Sequence, residues 1–328
     1  MSRQIAMVLD LNKCIGCQTC TVACKSLWTD EPGPDYMLWN NVETKPGAGY
    51  PRDWESDGGG WRGEELVLGQ IPQREDHGAE VPLNHQEVYF DGTETRLKQE
   101  EPMTVGANWD EDTSSGVYPN NYHFYLPRLC NHCTRPACLE ACPVKAIFKR
   151  DEDGIVLVDQ DRCQGLRECN KACPYDKVYF NYLTNTSQKC IFCFPRVEEG
   201  VPPACARQCP GRLRFVGFMD DEGGPIYKLV NEWKVALPLH AEFGTEPNVF
   251  YVPPILPSSF DETGDFSDAP RVPVAYMRSL FGAGAATALD TLRNEMEKRM
   301  RGEPSELMDL LIAKEWKSLF NITDVKVY

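Results

Sequence analysis

Cys14, Cys17, Cys20 and Cys24 stand in "CIGCQTCTVAC" at intervals of two, two and three residues. That spacing puts three thiolates on one tight loop around an iron–sulfur cube. The fourth, a helical turn further on, is free to reach a neighbouring cluster. Soft, anionic sulfur is what iron in such clusters requires. Three more groups follow: Cys130, Cys133, Cys138 and Cys142 in "CNHCTRPACLEACP"; Cys163, Cys169 and Cys173 in "CQGLRECNKACP"; and Cys190, Cys193, Cys205 and Cys209 in "CIFCFPRVEEGVPPACARQCP". These account for all fifteen cysteines of the 328-residue chain. An odd count in a long chain argues against a disulfide scaffold. Structural zinc prefers four ligands in two separated pairs, so it fits these runs poorly.

The groups are related in pairs. "AMVLDLNKC" (6–14) precedes the first and "IVLVDQDRC" (155–163) the third, with Asp10 and Asp159 each four residues before the leading cysteine. Group three then aligns with group one without a gap, and Leu166 falls opposite Cys17. "PACLEACPVKAIF" (136–148) aligns with "PACARQCPGRLRF" (203–215) in the same way. The expected fold is α+β, built on two bacterial-type two-cluster ferredoxin modules. One is continuous (125–183). The other is split and permuted, its halves at 1–24 and 184–226. Close termini in a compact domain make such reordering tolerable.

Exchange of the fourth ligand between clusters then assigns the cysteines. Cys14, Cys17, Cys20 and Cys209 hold one [4Fe–4S] cluster, Cys24, Cys190, Cys193 and Cys205 a second, and Cys130, Cys133, Cys138 and Cys173 a third. Cys142, Cys163 and Cys169 hold the fourth, where Leu166 occupies the missing-ligand position. A leucine cannot bind iron, so a [3Fe–4S] cluster is expected there. The alternatives are a [4Fe–4S] cluster with water on one iron, or an empty site.

Around these modules the chain has an insertion (25–124) rich in Gly, Pro, Trp and Tyr, expected to be irregular and pressed on the core or on a partner. Its C-terminal extension (227–328) is read as a docking element. A helix with a break at its glycines is expected over 272–302, and a second over 305–320 with Ser305 as N-cap. The five histidines, His77, His85, His123, His132 and His240, are scattered. His132, inside "CNHC", is either a polar loop residue or a donor to a cluster sulfur. No Ser–His–Asp pattern, GxGxxG or P-loop is present, so the chain reads as an electron carrier rather than a catalyst. A net charge of -15 excludes a nucleic-acid partner. No apolar run reaches membrane-spanning length, so no direct membrane span is expected. "MSRQIAMVLDLNKC" lacks the apolar core of a signal peptide.

The ordered cysteine groups resemble the iron–sulfur beta subunits of molybdenum enzymes in the dimethyl sulfoxide reductase superfamily. So do "DLNKCIGCQTC" (10–20), "WNNVETKPGAGYPR" (39–52), "NWDED" (108–112), "FYLPRLCNHC" (124–133) and "KVALPLHAEFGTEPNVFYVPP" (234–254). The similarity is to the branch containing perchlorate, chlorate and selenate reductases and dimethyl sulfide and ethylbenzene dehydrogenases. It implies three [4Fe–4S] clusters and one [3Fe–4S] cluster. The expected partners are a large molybdenum bis-pterin catalytic subunit and a haem b subunit or soluble cytochrome. By the family's order, the Cys14 cluster lies nearest the large subunit and the three-thiolate site at the far end. Relatives often place an aromatic residue where Leu166 stands. The resemblance further implies a periplasmic location by co-export with a signal-bearing large subunit, with a cytoplasmic complex as alternative. The expected substrate is an oxyanion, perchlorate or chlorate first and selenate next. The alternatives are a dimethyl sulfide or ethylbenzene dehydrogenase subunit, or a free-standing polyferredoxin.

Overall fold

A computed structural model describes residues 3–73, 75–77, 114–255 and 257–312. The "NWDED" stretch, His85 and the second half of the helix expected over 305–320 lie outside the described residues.

Each cysteine group is entered and left by a strand. Ile5–Asp10 leads into the first group, and its six residues are all buried. An apolar strand buried on both faces needs neighbours on both sides, and it has them. It pairs antiparallel with Arg214–Phe218, which leaves the fourth group, and parallel with Val249–Val252. Leu237–Pro238 completes this four-stranded sheet. The equivalent strands around groups two and three are Ile147–Lys149 and Val156–Val158, also antiparallel. Asp10 and Asp159, matched in the sequence, do the same local work. Each side chain accepts a hydrogen bond from the backbone N–H two residues on, at 3.1 and 3.0 Å, and so shapes the entry to its cysteine loop.

Short helices carry the later cysteine of each group. Thr19–Trp28 packs on Ala204–Arg207, and Ala137–Glu140 packs on Glu168–Ala172. The first of these contacts brings the front of the chain against the fourth cysteine group.

The described part of the insertion is less irregular than its composition predicts. Asn40–Lys45 is a strand that pairs along its length with Phe124–Leu129, from Asn40 opposite Leu129 to Lys45 opposite Phe124. All six residues of "NNVETK" are buried, although five are polar. A strand buried on both faces has no alternation to reveal it, and its polar side chains find partners far away in sequence. Glu43 is fully buried and accepts from Arg128 Nε at 2.5 Å, from the Tyr50 N–H at 3.1 Å and from Trp54 Nε1 at 3.3 Å. A small hairpin, Gly60–Arg62 with Glu65–Val67, is also present.

The two faces of the four-stranded sheet have different tasks. Met7 and Leu9 point into the core that contains the cysteines. Ala6 and Val8 point the other way, into a second core with Ala288, Leu292, Leu307 and Leu311. This is the period-two alternation of a strand. The apolar residues of the C-terminal helices are divided between the two cores: Met277, Leu280 and Phe281 join the cysteine-containing one, and Ala288, Leu292, Leu307 and Leu311 cover the other face of the sheet. Those helices are Val274–Phe281, Ala285–Met300 and Glu306–Leu311, with the break at Gly282, whose φ is +76°. Ser305 caps the last one by accepting from the Met308 N–H at 3.1 Å, and its hydroxyl donates to Glu295 at 2.7 Å. Ser305→Ala is expected to lower stability by about 1 kcal/mol, read as a lower thermal midpoint, with threonine restoring most of it. An unchanged midpoint would count against the cap.

Candidate metal centres

The backbone turns that aim the cysteines recur from group to group. Gly16 and Gly165 have φ of +68° and +71°, and Gln18 and Arg167, two residues on, have +57° and +61°. A side chain at Gly165 would meet the Asn185 carbonyl oxygen at 2.5 Å, so glycine is required on steric as well as conformational grounds. His132 and Phe192 share a left-handed conformation inside the second and fourth groups. Lys145, Asp176 and Arg212, each three residues after a Cys-Pro cysteine, share it too. Left-handed residues within such turns direct successive N–H groups toward one side, which suits an anionic sulfur centre.

These turns surround three cavities. The first is lined by Cys14, Cys17, Cys20 and Cys209, the second by Cys24, Cys190, Cys193 and Cys205, and the third by Cys130, Cys133, Cys138 and Cys173. Each cavity thus gathers one of the four-cysteine sets expected from the spacing. Cys142, Cys163 and Cys169 form the remaining set, close enough for the first two to act on the charge of the third. Leu166 stays at the surface, 50% exposed. The sets also succeed one another in space. Cys205 feels the charge of Cys20 and Cys209, and Cys190 that of Cys130. Cys138 and Cys169 share one small core with Ile147, Val156 and Val178.

The donors fit iron–sulfur clusters better than single ions. Among the described residues no three His, Cys, Asp or Glu side chains converge as ligands of one ion; the cysteines open around a space. Burial pushes most of the thiols up: Cys14 and Cys169 to about 11, Cys173 and Cys205 to about 12, and Cys24 and Cys138 well above the ordinary range. Such thiols favour the protonated form on their own, and a bound iron core would supply the positive charge that ionises them. Donors already await the sulfurs. Trp28 Nε1 reaches Cys193 Sγ at 3.1 Å, and the Ala146 and Ser187 N–H groups reach Cys142 and Cys163 Sγ at 3.2 and 3.3 Å. Other buried groups on the cavity walls have no partner in the protein: Trp39 Nε1 and Asn40 Nδ2 at the second cavity, and His132 Nε2 at the third. Buried polar atoms are nearly always satisfied, so orphans gathered on cavity walls mark where an acceptor belongs.

His132 is resolved further by its hydrogen bonds. Its Nδ1 accepts from the Val156 N–H at 3.1 Å, so the neutral ring carries its proton on the unpartnered Nε2. Burial, followed by the charges of Lys189 and Lys149, holds the ring well below its usual pKa and keeps it neutral. Sequence reading missed Trp28, Trp39, Asn40 and Ser187, because nothing local marks a group that reaches a cysteine or a cavity wall only through folding. It also missed Arg214, a guanidinium buried beside Cys20.

Residues 121–219 match the family model described as a 4Fe-4S dicluster domain. Over 98% of its length, the chain is 56% identical to the selenate reductase subunit beta of Thauera selenatis, covering 99% of that protein. It is likewise 56% identical to the chlorate reductase subunit beta of Ideonella dechloratans, over 98% of this chain and 99% of that one. With the dimethylsulfide dehydrogenase subunit beta of Rhodovulum sulfidophilum the identity is 54%, over 98% of this chain and all of the relative. The chain belongs to this family of iron–sulfur beta subunits. The family is the one the sequence resembles, that of the dimethyl sulfoxide reductase superfamily of molybdoenzymes, and its role is electron transfer. Two reductase beta subunits and a dehydrogenase beta subunit are almost equally similar, so identity does not select a substrate. No helix among the described residues is long and apolar enough to cross a membrane.

Proposed function

We propose that this beta subunit holds four clusters in a file and relays electrons along it. Three are [4Fe–4S] clusters, held by Cys14, Cys17, Cys20 and Cys209, by Cys24, Cys190, Cys193 and Cys205, and by Cys130, Cys133, Cys138 and Cys173. A [3Fe–4S] cluster is held by Cys142, Cys163 and Cys169. The observation that carries this is the coincidence of three cavities with the three four-cysteine sets derived from ligand exchange. When bound, such clusters supply one-electron exchange without proton or group transfer. The protein's own part is to bury the sulfurs, exclude water and point N–H donors at them.

The ligand sets cross the chain in a way that supports two two-cluster modules, one continuous over 125–183 and one split between 1–24 and 184–226. The strand pairing of Ile5–Asp10 with Arg214–Phe218 supports the split module, as does the packing of Thr19–Trp28 on Ala204–Arg207. In the same reading the insertion, 25–124, separates the first half of the split module from the continuous one along the chain, and 227–328 is a docking extension.

The electrons run between a large molybdenum bis-pterin subunit, beyond the Cys14 site, and a haem b subunit or soluble cytochrome beyond the three-thiolate site. The most fitting substrate of the complex is an oxyanion, perchlorate or chlorate first and selenate next. Beta subunits of a selenate and a chlorate reductase among the relatives support an oxyanion, and their equal identity does not rank one oxyanion above the other. The complex is proposed to work in the periplasm, this chain travelling folded with a signal-bearing large subunit.

Anaerobic purification of the native protein, followed by metal analysis and mass spectrometry of whatever accompanies it, tests the proposal. The expected result is molybdenum together with a much larger pterin-binding chain, and EPR signals of both cluster types. Iron without such a partner would instead indicate a free-standing carrier and sink the subunit assignment. Recovery of the complex from the cytoplasm alone would overturn the location.

A further inference from the structure

Between the first and second cavities the fold buries one guanidinium. Arg214 begins the strand Arg214–Phe218, lies opposite Leu9 and is 1% exposed. Its Nη2 donates to Cys20 Sγ at 3.2 Å and to Asn40 Oδ1 at 2.8 Å, and Nη1 lies 3.8 Å from Met7 Sδ. Nε is buried and has no partner. Arg214 lines the Cys14 cavity, while Asn40 and Met7, which hold it, line the Cys24 cavity. Cys20, Cys205, Cys209 and Cys24 all feel its charge.

Arg128 offers a contrast. It is equally buried, but it is paired with the carboxylate of Glu43. Among the described residues no carboxylate pairs with Arg214; its hydrogen-bond acceptors are a thiol, a neutral amide and a thioether. A buried charge without a counter-charge costs several kcal/mol. Sulfur ligands are the negative groups within its reach, and they belong to two different sites.

We propose that Arg214 sets potentials. Its fixed positive charge favours the reduced, more negative state of the two clusters it separates, and most strongly that of the cluster held by Cys20. The charge is permanent because arginine does not release its proton inside proteins. Each cluster therefore takes up one electron from the reductant with no proton moving at this residue. Net charge and hydrogen bonds to sulfur are the protein's levers on such potentials, and Arg214 applies both. Placed between two successive sites, it raises them together and keeps electron passage between them from running steeply uphill. This rests on the four-cluster reading above.

The test is a redox titration of the assembled complex followed by EPR. In Arg214→Gln, the clusters of the Cys14 and Cys24 sites are expected to be at least tenfold less reduced at a fixed potential. That corresponds to a downward shift of about 59 mV for a one-electron couple. The other two clusters should not move, and Arg214→Lys should recover most of the difference. Unchanged midpoints in an iron-replete Arg214→Gln complex would overturn the proposal, and so would an equal shift of all four. Should the variants fail to assemble, the unsubstituted protein labelled with 15N-arginine gives a second measurement. Pulsed EPR of the reduced Cys14-site cluster is expected to show a coupled arginine nitrogen, and its absence would also overturn the proposal. Failure of the four-cluster reading would look different: iron and cluster signals would be missing from the unsubstituted complex itself.

Discussion

Leu166→Cys is expected to abolish the [3Fe–4S] EPR signal and replace it with that of a fourth [4Fe–4S] cluster. The loop already has the required shape. Gly165 and Arg167 adopt the left-handed conformations that Gly16 and Gln18 adopt on either side of Cys17. Glu168–Ala172 starts after Arg167 as Thr19–Trp28 starts after Gln18. A thiol at position 166 is therefore delivered where Cys17 stands in its own loop. Leu166 is half exposed, so its replacement leaves no cavity and fold stability should not change. A fourth thiolate adds negative charge, which disfavours the reduced state and lowers the potential of this site. Electron passage out of the file should slow as a result. Survival of the [3Fe–4S] signal in an iron-replete Leu166→Cys protein would contradict the missing-ligand assignment. Complete absence of that signal from the unsubstituted protein would favour the water-ligated or empty alternatives.

The second large effect concerns Glu43, a buried carboxylate on the strand Asn40–Lys45. Burial alone would raise its carboxyl, but the charges of Arg128, Lys45 and Lys177 outweigh this and hold the pKa below the ordinary carboxylate range. Glu43→Ala leaves Arg128 buried without its anion, at a cost of about 3–5 kcal/mol, while Lys45 keeps Glu55. It also orphans the Tyr50 N–H and Trp54 Nε1. The expected result is a markedly lower thermal midpoint, with the strand Asn40–Lys45 becoming open to proteolysis first. Glu43→Gln should lose less, because its oxygen still accepts hydrogen bonds. The pH dependence follows from the sign of the shift. A folded pKa below the unfolded one contributes stability that is fully present above the unfolded value and lost as pH falls through the folded one. The difference between native and Glu43→Ala proteins should therefore be largest near neutrality and shrink in acid. Equal melting of the two proteins at neutral pH would show that the pair contributes nothing.

Much of the cluster chemistry was legible in the residues alone. Ligand spacing is local: two residues between cysteines make one loop, three residues make a helical turn, and a proline ends it. The pairing of Cys209 with the first set and of Cys24 with the second followed from comparing the groups with one another. The three cavities are lined by those same cysteines. The break at Gly282 and the cap at Ser305 were also local, since each depends on one residue's own conformation or side chain.

Other features were not local and left no trace in the sequence. "NNVETK" falls in an insertion expected to be irregular, and it is a buried strand whose Glu43 is met by the opposite charge of Arg128, 85 residues on. His132 became a neutral donor because the Val156 N–H, 24 residues away, occupies its other nitrogen. Arg214 stands 194 residues from Cys20, and nothing beside it in the sequence distinguishes it from a surface arginine. By itself the sequence determined the four cysteine groups and the leucine at position 166, because residue type and short-range spacing are local properties. The tertiary structure alone decided the charges, orphan donors and burial around each site, because an electrostatic environment is the sum of groups that only folding brings within a few ångströms.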